Sequence, residues 1–292
     1  MKVRRRQWAD LPEQAREAIQ ERTGPVTGVQ SAPVGLTSGI AATITTTTEG
    51  AAFFVKAAPA AAPVAHHLLR ERAFAQALPA SVSAPRLLWA ADVAGWHLLL
   101  FEHVPGRPAN LSPGSPDLPA VLDAIAVLGV PCPWPAPLIA DKLDGLLRSA
   151  EEQLAAAPLD ADQYGPLVKA LNLSDFASDR LLHADLHADN LLIEGGHVWV
   201  VDWSMACQGA VWVDTALLIP RLIDAGHSPA QAERAAARVP AWSEAPPAAV
   251  TGLTAVRMLF AARMAETGPA HLRAKRLRTA AACRAWVDHR TG

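Results

Sequence analysis

The chain has 292 residues, 51% hydrophobic and 18% charged, so it has enough apolar surface for one large domain or two lobes and is not a disordered polymer. Its net charge of −2 gives no electrostatic reason to expect a nucleic-acid partner. Three cysteines, Cys132, Cys207 and Cys283, are odd in number and far apart; this matches neither a disulfide framework nor zinc spacing and fits a reducing, cytoplasmic location. No apolar run reads as a membrane span, and the basic start "MKVRRRQWADLP" lacks the apolar stretch of a secretory signal.

Residues 10–22 read as a helix, with Asp10 as its cap, Pro12 in its first turn and "TGP" ending it. Between residues 33 and 56, Thr-rich and β-branched runs suggest two strands that turn at Glu49-Gly50. A helix is expected over 64–78. Two further strands, "RLLWAAD" and "WHLLLFEHV", are joined at "DVAG". The Pro- and Gly-punctuated "VPGRPANLSPGSPD" then marks a boundary. The organisation is therefore a β-rich lobe over 1–104 and a mostly helical lobe over 105–292. Helices are expected at 117–128, 138–157, 163–171 and through 213–292. One hairpin, "NLLIEG" and "HVWVVDW", interrupts them and turns at Glu194-Gly195-Gly196. Charge is uneven: residues 105–180 hold ten acids and five Lys or Arg, whereas residues 203–292 hold six acids and eleven.

The polar loop "HADLHADN", residues 183–190, lies between apolar runs and admits two chemistries. His183, Asp185, His187 and Asp189 alternate, so on a strand they would share a face and could hold a hydrolytic metal. Phosphoryl transfer uses more of the stretch. It needs one carboxylate to orient and deprotonate an attacking hydroxyl, and further oxygen ligands to hold Mg²⁺ on the phosphates. Asp185, Asn190 and Asp202 supply that set, and a loop followed by a hairpin can bring them together.

"HADLHADN" resembles the H-x-D-x-x-x-x-N loop of the aminoglycoside phosphotransferase and choline kinase-like families, and "VVDW" at 200–203 resembles their metal-binding Asp strand. The resemblance implies an α+β, protein-kinase-like two-lobe fold and the cofactors ATP and Mg²⁺. It implies that Asp185 is the base, that Asn190 and Asp202 bind the metal, and that Lys56 grips the α/β-phosphates while Glu71 holds it. Lys56 follows the apolar run "AAFFV" and is the only lysine between residues 3 and 141; a lysine there can also simply snorkel to solvent. The phosphate-covering loop would be "GLTSGIAAT", with backbone amides around Ser38, Gly39 and Ile40 on phosphate. Phe101 would guard the back of the nucleotide pocket, and the carbonyl of Glu102 and amide of Val104 would meet the adenine edge. His183 would support the loop, Asp189 reads as a turn acid, and Asp214 would either brace the loop's backbone or cap a helix. Trp203 stands where protein kinases carry Phe.

These readings converge on an ATP-dependent kinase for a hydroxyl of a small molecule. The acceptors implied by the resemblance include aminoglycosides, other antibiotics, choline, sugars and homoserine. No nucleic acid, membrane or protein partner is indicated. Only "WSMACQGAVWV" separates Asp202 from Asp214, too short for a peptide-docking segment that folds out and back. A His/Asp metal hydrolase and a nucleotide-binding module without turnover are the alternatives.

Overall fold

In chain order the elements are α1 (Glu13–Thr23), β1 (Val26–Ser31), β2 (Ile40–Thr46), β3 (Ala52–Pro59), α2 (Ala65–Ala77), β4 (Leu87–Val93), β5 (Trp96–Glu102), β6 (Arg107–Pro108), α3 (Asp117–Ala126), α4 (Ile139–Ala156), α5 (Pro158–Lys169), β7 (Leu181–Leu182), β8 (Leu191–Glu194), β9 (His197–Val200), β10 (Cys207–Gln208), α6 (Trp212–Asp224), α7 (Pro229–Ala236), α8 (Pro247–Thr267) and α9 (Arg273–Thr291). The structure is a computed structural model that describes residues 6–32, 39–48, 51–156 and 158–292. The chain divides into two units: Met1–Pro108 with Asp189–Ala206, and Ala109–Ala188 with Cys207–Gly292.

The first unit is built on a five-stranded antiparallel sheet in the order β1-β2-β3-β5-β4. Successive residues of a strand point to opposite faces, and the sheet uses both. Val55, Ala57, Leu98 and Leu100 join Leu11, Ala15 and Ile19 in the core on the α1 side. Ala58, Leu99 and Phe101 join Val64 and Leu68 on the α2 side. Lys56 lies between Val55 and Ala57, so the strand period turns it to the α2 side, where Ala58 also lies.

Three sequence expectations change here. Val26–Ser31 is a strand paired to β2, although "VTGVQS" holds Gly and Gln; it is an edge strand with no buried residue and carries little apolar signal. α1 begins at Glu13 after Pro12, and Asp10 instead accepts the Gln7 backbone N–H at 2.7 Å. The hairpin β8–β9 groups with the first unit and not with the rest of 105–292. Its reasons are local: β8 pairs with β6, and the Val200 N–H donates to Ser83 O at 2.8 Å.

The second unit is helical apart from the short β7–β10 pair. α8 lies at its centre, packed on α4, α5 and α9. It is the one helix among the described residues long and apolar enough to cross a membrane, a candidate the sequence reading passed over; 67% of its apolar stretch is buried, as expected of a core helix. Gly252 permits its close crossing with α5, since a Cβ there would lie 2.9 Å from Leu167 O.

Candidate active site

The α2 helix presents Ala65, Leu68, Glu71 and Phe74 inward, the three-residue spacing of a buried helix face. Glu71 therefore meets the side of the sheet that carries Lys56. The Lys56 Nζ donates to Glu71 Oε1 at 2.6 Å and to Oε2 at 2.8 Å, and lies 3.1 Å from Asp202 Oδ1. Lys56 and Glu71 are 14% and 4% exposed, so Lys56 does not snorkel to solvent; it is an enclosed cation between two carboxylates. β3 also runs three residues past the strand end expected at Lys56.

The electrostatics follow from that count of charges. Burial opposes the Lys56 charge, but the fields of Asp202 and Glu71 and their hydrogen bonds outweigh it, and its pKa rises above the ordinary lysine value. One ammonium cannot fully offset two carboxylates. Burial first, then the field of Asp202, lift Glu71 to about 7 against the opposing pull of Lys56. Glu71 also accepts the Trp203 backbone N–H, which ties α2 to the residue after Asp202. Trp203 is buried and donates its Nε1–H to Val200 O at 3.0 Å.

Asn190 and Asp202 bracket the hairpin. The Val201 N–H donates to Asn190 O at 3.0 Å, which brings the two ends of β8–β9 together. Asp202 adopts the left-handed conformation, with φ 63° and ψ 68°, a local strain that non-glycine residues rarely accept. Its carboxylate is 43% exposed, while Asn190 is buried. An Asp202 carboxylate beside an enclosed lysine, with Asn190 at the other end of the hairpin, offers oxygen donors of the type taken by a hard cation such as Mg²⁺, which takes one or two protein oxygens and leaves the rest to phosphate and water.

Asp185 lies in the second unit, on a loop held from below by Asp214. Asp214 Oδ2 accepts the His183 N–H at 2.7 Å and Oδ1 accepts the Ala184 N–H at 2.8 Å. Asp214 thus braces the loop; it does not cap α6, which begins two residues earlier at Trp212. Burial raises the pKa of the Asp214 carboxyl, although the neighbouring His183 and the backbone N–H groups of His183 and Ala184 pull it down. Ala184 is left-handed, with φ 61°. His183 is 0% exposed, and its Nδ1 accepts the Asp185 N–H at 3.3 Å, so it supports the loop. Asp185 is 41% exposed, with His187 Nε2 at 3.8 Å.

This geometry counts against the hydrolase alternative. Residues 183–187 form no strand, so the alternating His and Asp do not share a face. Among the described residues no group of three His, Cys, Asp or Glu side chains comes together as a metal cluster.

Of the other expected residues, Ser38 lies outside the described residues. Gly39 leads into β2 pressed against β3, where a Cβ would lie 3.0 Å from Ala57 O. Ile40 is the first residue of β2 and is buried in the α1-side core. Phe101 is buried on the α2 side, Glu102 ends β5 with its carboxylate 3.0 Å from Arg86 Nε, and Val104 follows in the segment before β6. The sequence reading missed His67, which accompanies Glu71 one turn earlier on α2. Burial first, then His66 and Arg70, lower its pKa, while hydrogen bonding to the Ser204 backbone and the field of Asp202 oppose this. Its spacing of four from Glu71 in "HHLLRE" was the available signal.

Comparison with known proteins assigns the chain. A family model described as "Phosphotransferase enzyme family" matches residues 35–249, well over half of the chain. A search of curated proteins found no match. A choline/ethanolamine kinase family protein from Mesorhizobium loti superposes with a TM-score of 0.63 at 16% identity, over 94% of this chain and 94% of that one. Choline kinase LicA from Streptococcus pneumoniae gives 0.60 at 14% identity, over 91% of this chain and 98% of that one. A thermostable mutant of the aminoglycoside phosphotransferase APH(4)-Ia, in ternary complex with AMP-PNP and hygromycin B, gives 0.61 at 15% identity, over 94% and 99%. At these identities the likeness is one of fold, and it is the kinase-like α+β fold that the sequence resemblance implied. The chain belongs to the phosphotransferase enzyme family.

Proposed function

We propose that this protein transfers the γ-phosphate of ATP, bound with Mg²⁺, to a hydroxyl group of a small molecule. The observation that carries the reading is the Lys56–Glu71–Asp202 cluster: a strand lysine, enclosed and oriented by a helix carboxylate, beside an acid poised at the end of a hairpin. Family membership supports phosphotransfer, and a structurally similar protein binds the ATP analogue AMP-PNP.

In this reading Lys56 grips the α/β-phosphates as a fixed point charge, and Glu71 holds the lysine in position. Backbone amides around Ser38, Gly39 and Ile40 cover the phosphates, Phe101 backs the nucleotide, and Glu102 and Val104 meet the adenine edge through their backbone. Asn190 and Asp202 hold the cation, which when bound neutralises charge on the phosphate oxygens. Asp185 accepts the hydroxyl proton as the acceptor oxygen bonds to phosphorus and the bond to the ADP oxygen breaks. Its exposure leaves it accessible to a substrate, and the Asp214 brace keeps its backbone from drifting. Most of the acceleration then comes from alignment and charge neutralisation.

The test is incubation of the full chain with ATP, Mg²⁺ and panels of small alcohols and of peptides, with products identified by mass. A phosphorylated small alcohol, formed without prior phosphorylation of the enzyme, is expected. ATP binding with no transfer to any compound would favour a non-catalytic nucleotide module, and robust peptide labelling alone would overturn the small-acceptor assignment.

A further inference from the structure

The basic excess of the C-terminal segment has a focus inside the second unit. Arg257 stands in the middle of α8 between the buried residues Val256 and Met258. The side chain is half-buried, and its Nε is enclosed with no hydrogen-bond partner. It reaches the Cys283 thiol of α9 and lies within the fields of Arg221, on α6, and Asp185. Cys283 cannot balance it, because burial first of all pushes the thiol pKa up and keeps it neutral. Arg221 is itself anchored, its Nη1 donating to Thr279 Oγ1 at 3.4 Å.

Around the Arg257 guanidinium, a neutral thiol and a second guanidinium thus stand against the field of one carboxylate, Asp185, and that carboxylate is the group proposed to meet the acceptor hydroxyl. Positive charge partly withdrawn from water and in excess of its counter-ions favours an anion that completes it. The planar guanidinium fork is also the side chain best matched to carboxylate and phosphate oxygens. We propose that the acceptor is anionic: Arg257, backed by Arg221, takes a carboxylate or phosphate group on the molecule whose hydroxyl meets Asp185. This inference rests on the kinase reading above and narrows its substrate class. Polycations such as aminoglycosides, and choline, would be repelled at the same place. Arg257 also lies beyond residues 35–249, which the family model matches.

The experiment measures binding to the full chain by calorimetry, at constant ionic strength, with and without an ATP analogue and Mg²⁺. Glycerate and gluconate supply the carboxylate, glycerol 3-phosphate and glucose 6-phosphate supply the phosphate, glycerol and glucose are the neutral counterparts, and choline is the cation. An anionic compound should bind about tenfold or more tightly than its neutral counterpart, the scale of a charge-assisted hydrogen bond. Arg257→Gln should abolish that preference, and Arg257→Lys, which keeps the charge but not the fork, should retain part of it. If Arg257 only braced α8 on α9 through Cys283, the substitution would lower melting temperature without changing charge preference. Arg221→Gln is the second variant should Arg257→Gln fail to fold. Absence of an anion preference in the wild type, or its persistence in folded Arg257→Gln, overturns the inference. ATP consumption read in parallel separates the two ideas. An anion held through Arg257 but never phosphorylated sinks the kinase reading and leaves the anion site. Phosphorylation of neutral or cationic compounds by the wild type as fast as of their anionic counterparts sinks the anion site and leaves the kinase.

Discussion

Replacing Asp214 by Ala should release the loop that carries Asp185. The carboxylate is buried and accepts two backbone N–H groups, from His183 at 2.7 Å and Ala184 at 2.8 Å. Hydrogen bonds to a charged acceptor contribute about 1.5–3 kcal/mol each, so the gross loss is about 3–6 kcal/mol. Removing the carboxylate also relieves its own desolvation, which is visible in its raised pKa, and that places the net loss near the lower bound, about 3 kcal/mol. Ala184 adds to the effect, because its φ of 61° is unfavourable and relaxes once the brace is gone. A local opening made easier by about 3 kcal/mol corresponds to about 10²-fold faster hydrogen exchange at the His183 and Ala184 amides. Asp214→Asn, whose side-chain oxygen still accepts one N–H, should show a smaller change. Native-state exchange reads this directly. Protection at these amides within about threefold of wild type would refute the brace. An equal loss across α8 would mean general destabilisation instead of a released loop.

Asp185→Asn should bind nucleotide nearly as wild type but turn over about 10²–10⁴ more slowly, the scale of a positioned base; unchanged turnover would remove Asp185 from the chemistry. Asp202→Ala should raise the Mg²⁺ concentration needed for half-maximal activity, because it removes an anionic oxygen ligand; wild-type metal dependence would leave Asp202 as only the end of a hairpin. Glu71 sets a pH dependence. Its folded pKa, about 7, lies above the ordinary 4.5, so the folded chain holds that proton more tightly than the unfolded chain does. Its contribution to stability is then complete below about 4.5 and lost as pH rises through about 7. Without nucleotide or metal, the melting temperature should fall across that window and Glu71→Gln should flatten the fall; superimposable profiles for the two proteins would contradict the assignment.

Much of the candidate site is legible in the chain because its motifs are local. "HADLHADN" and "VVDW" lie within one loop and one hairpin, and short-range geometry relates them without knowledge of the rest. Lys56 is recognisable as a lone lysine on an apolar strand, and Glu71 as an acid on the next helix. Their pairing is not local. It needs the two-residue period of β3 to turn Lys56 toward α2 and the three-residue spacing of α2 to turn Glu71 inward, and both faces are chosen only when the sheet buries its two cores. β1 escaped detection because an edge strand with no buried residue carries little hydrophobic signal, while its pairing with β2 is made by backbone groups that every sequence possesses. Whether Asp214 capped a helix or braced a loop was undecidable from its position, since both roles use the same carboxylate on backbone N–H groups. Packing α6 against the segment after β7 decided it. Arg257 lies farthest from anything the sequence signals. Its surroundings, Arg221, Asp185 and Cys283, come from two helices and a loop scattered along the chain, and charges so far apart in sequence acquire a common field only when tertiary packing removes the water between them.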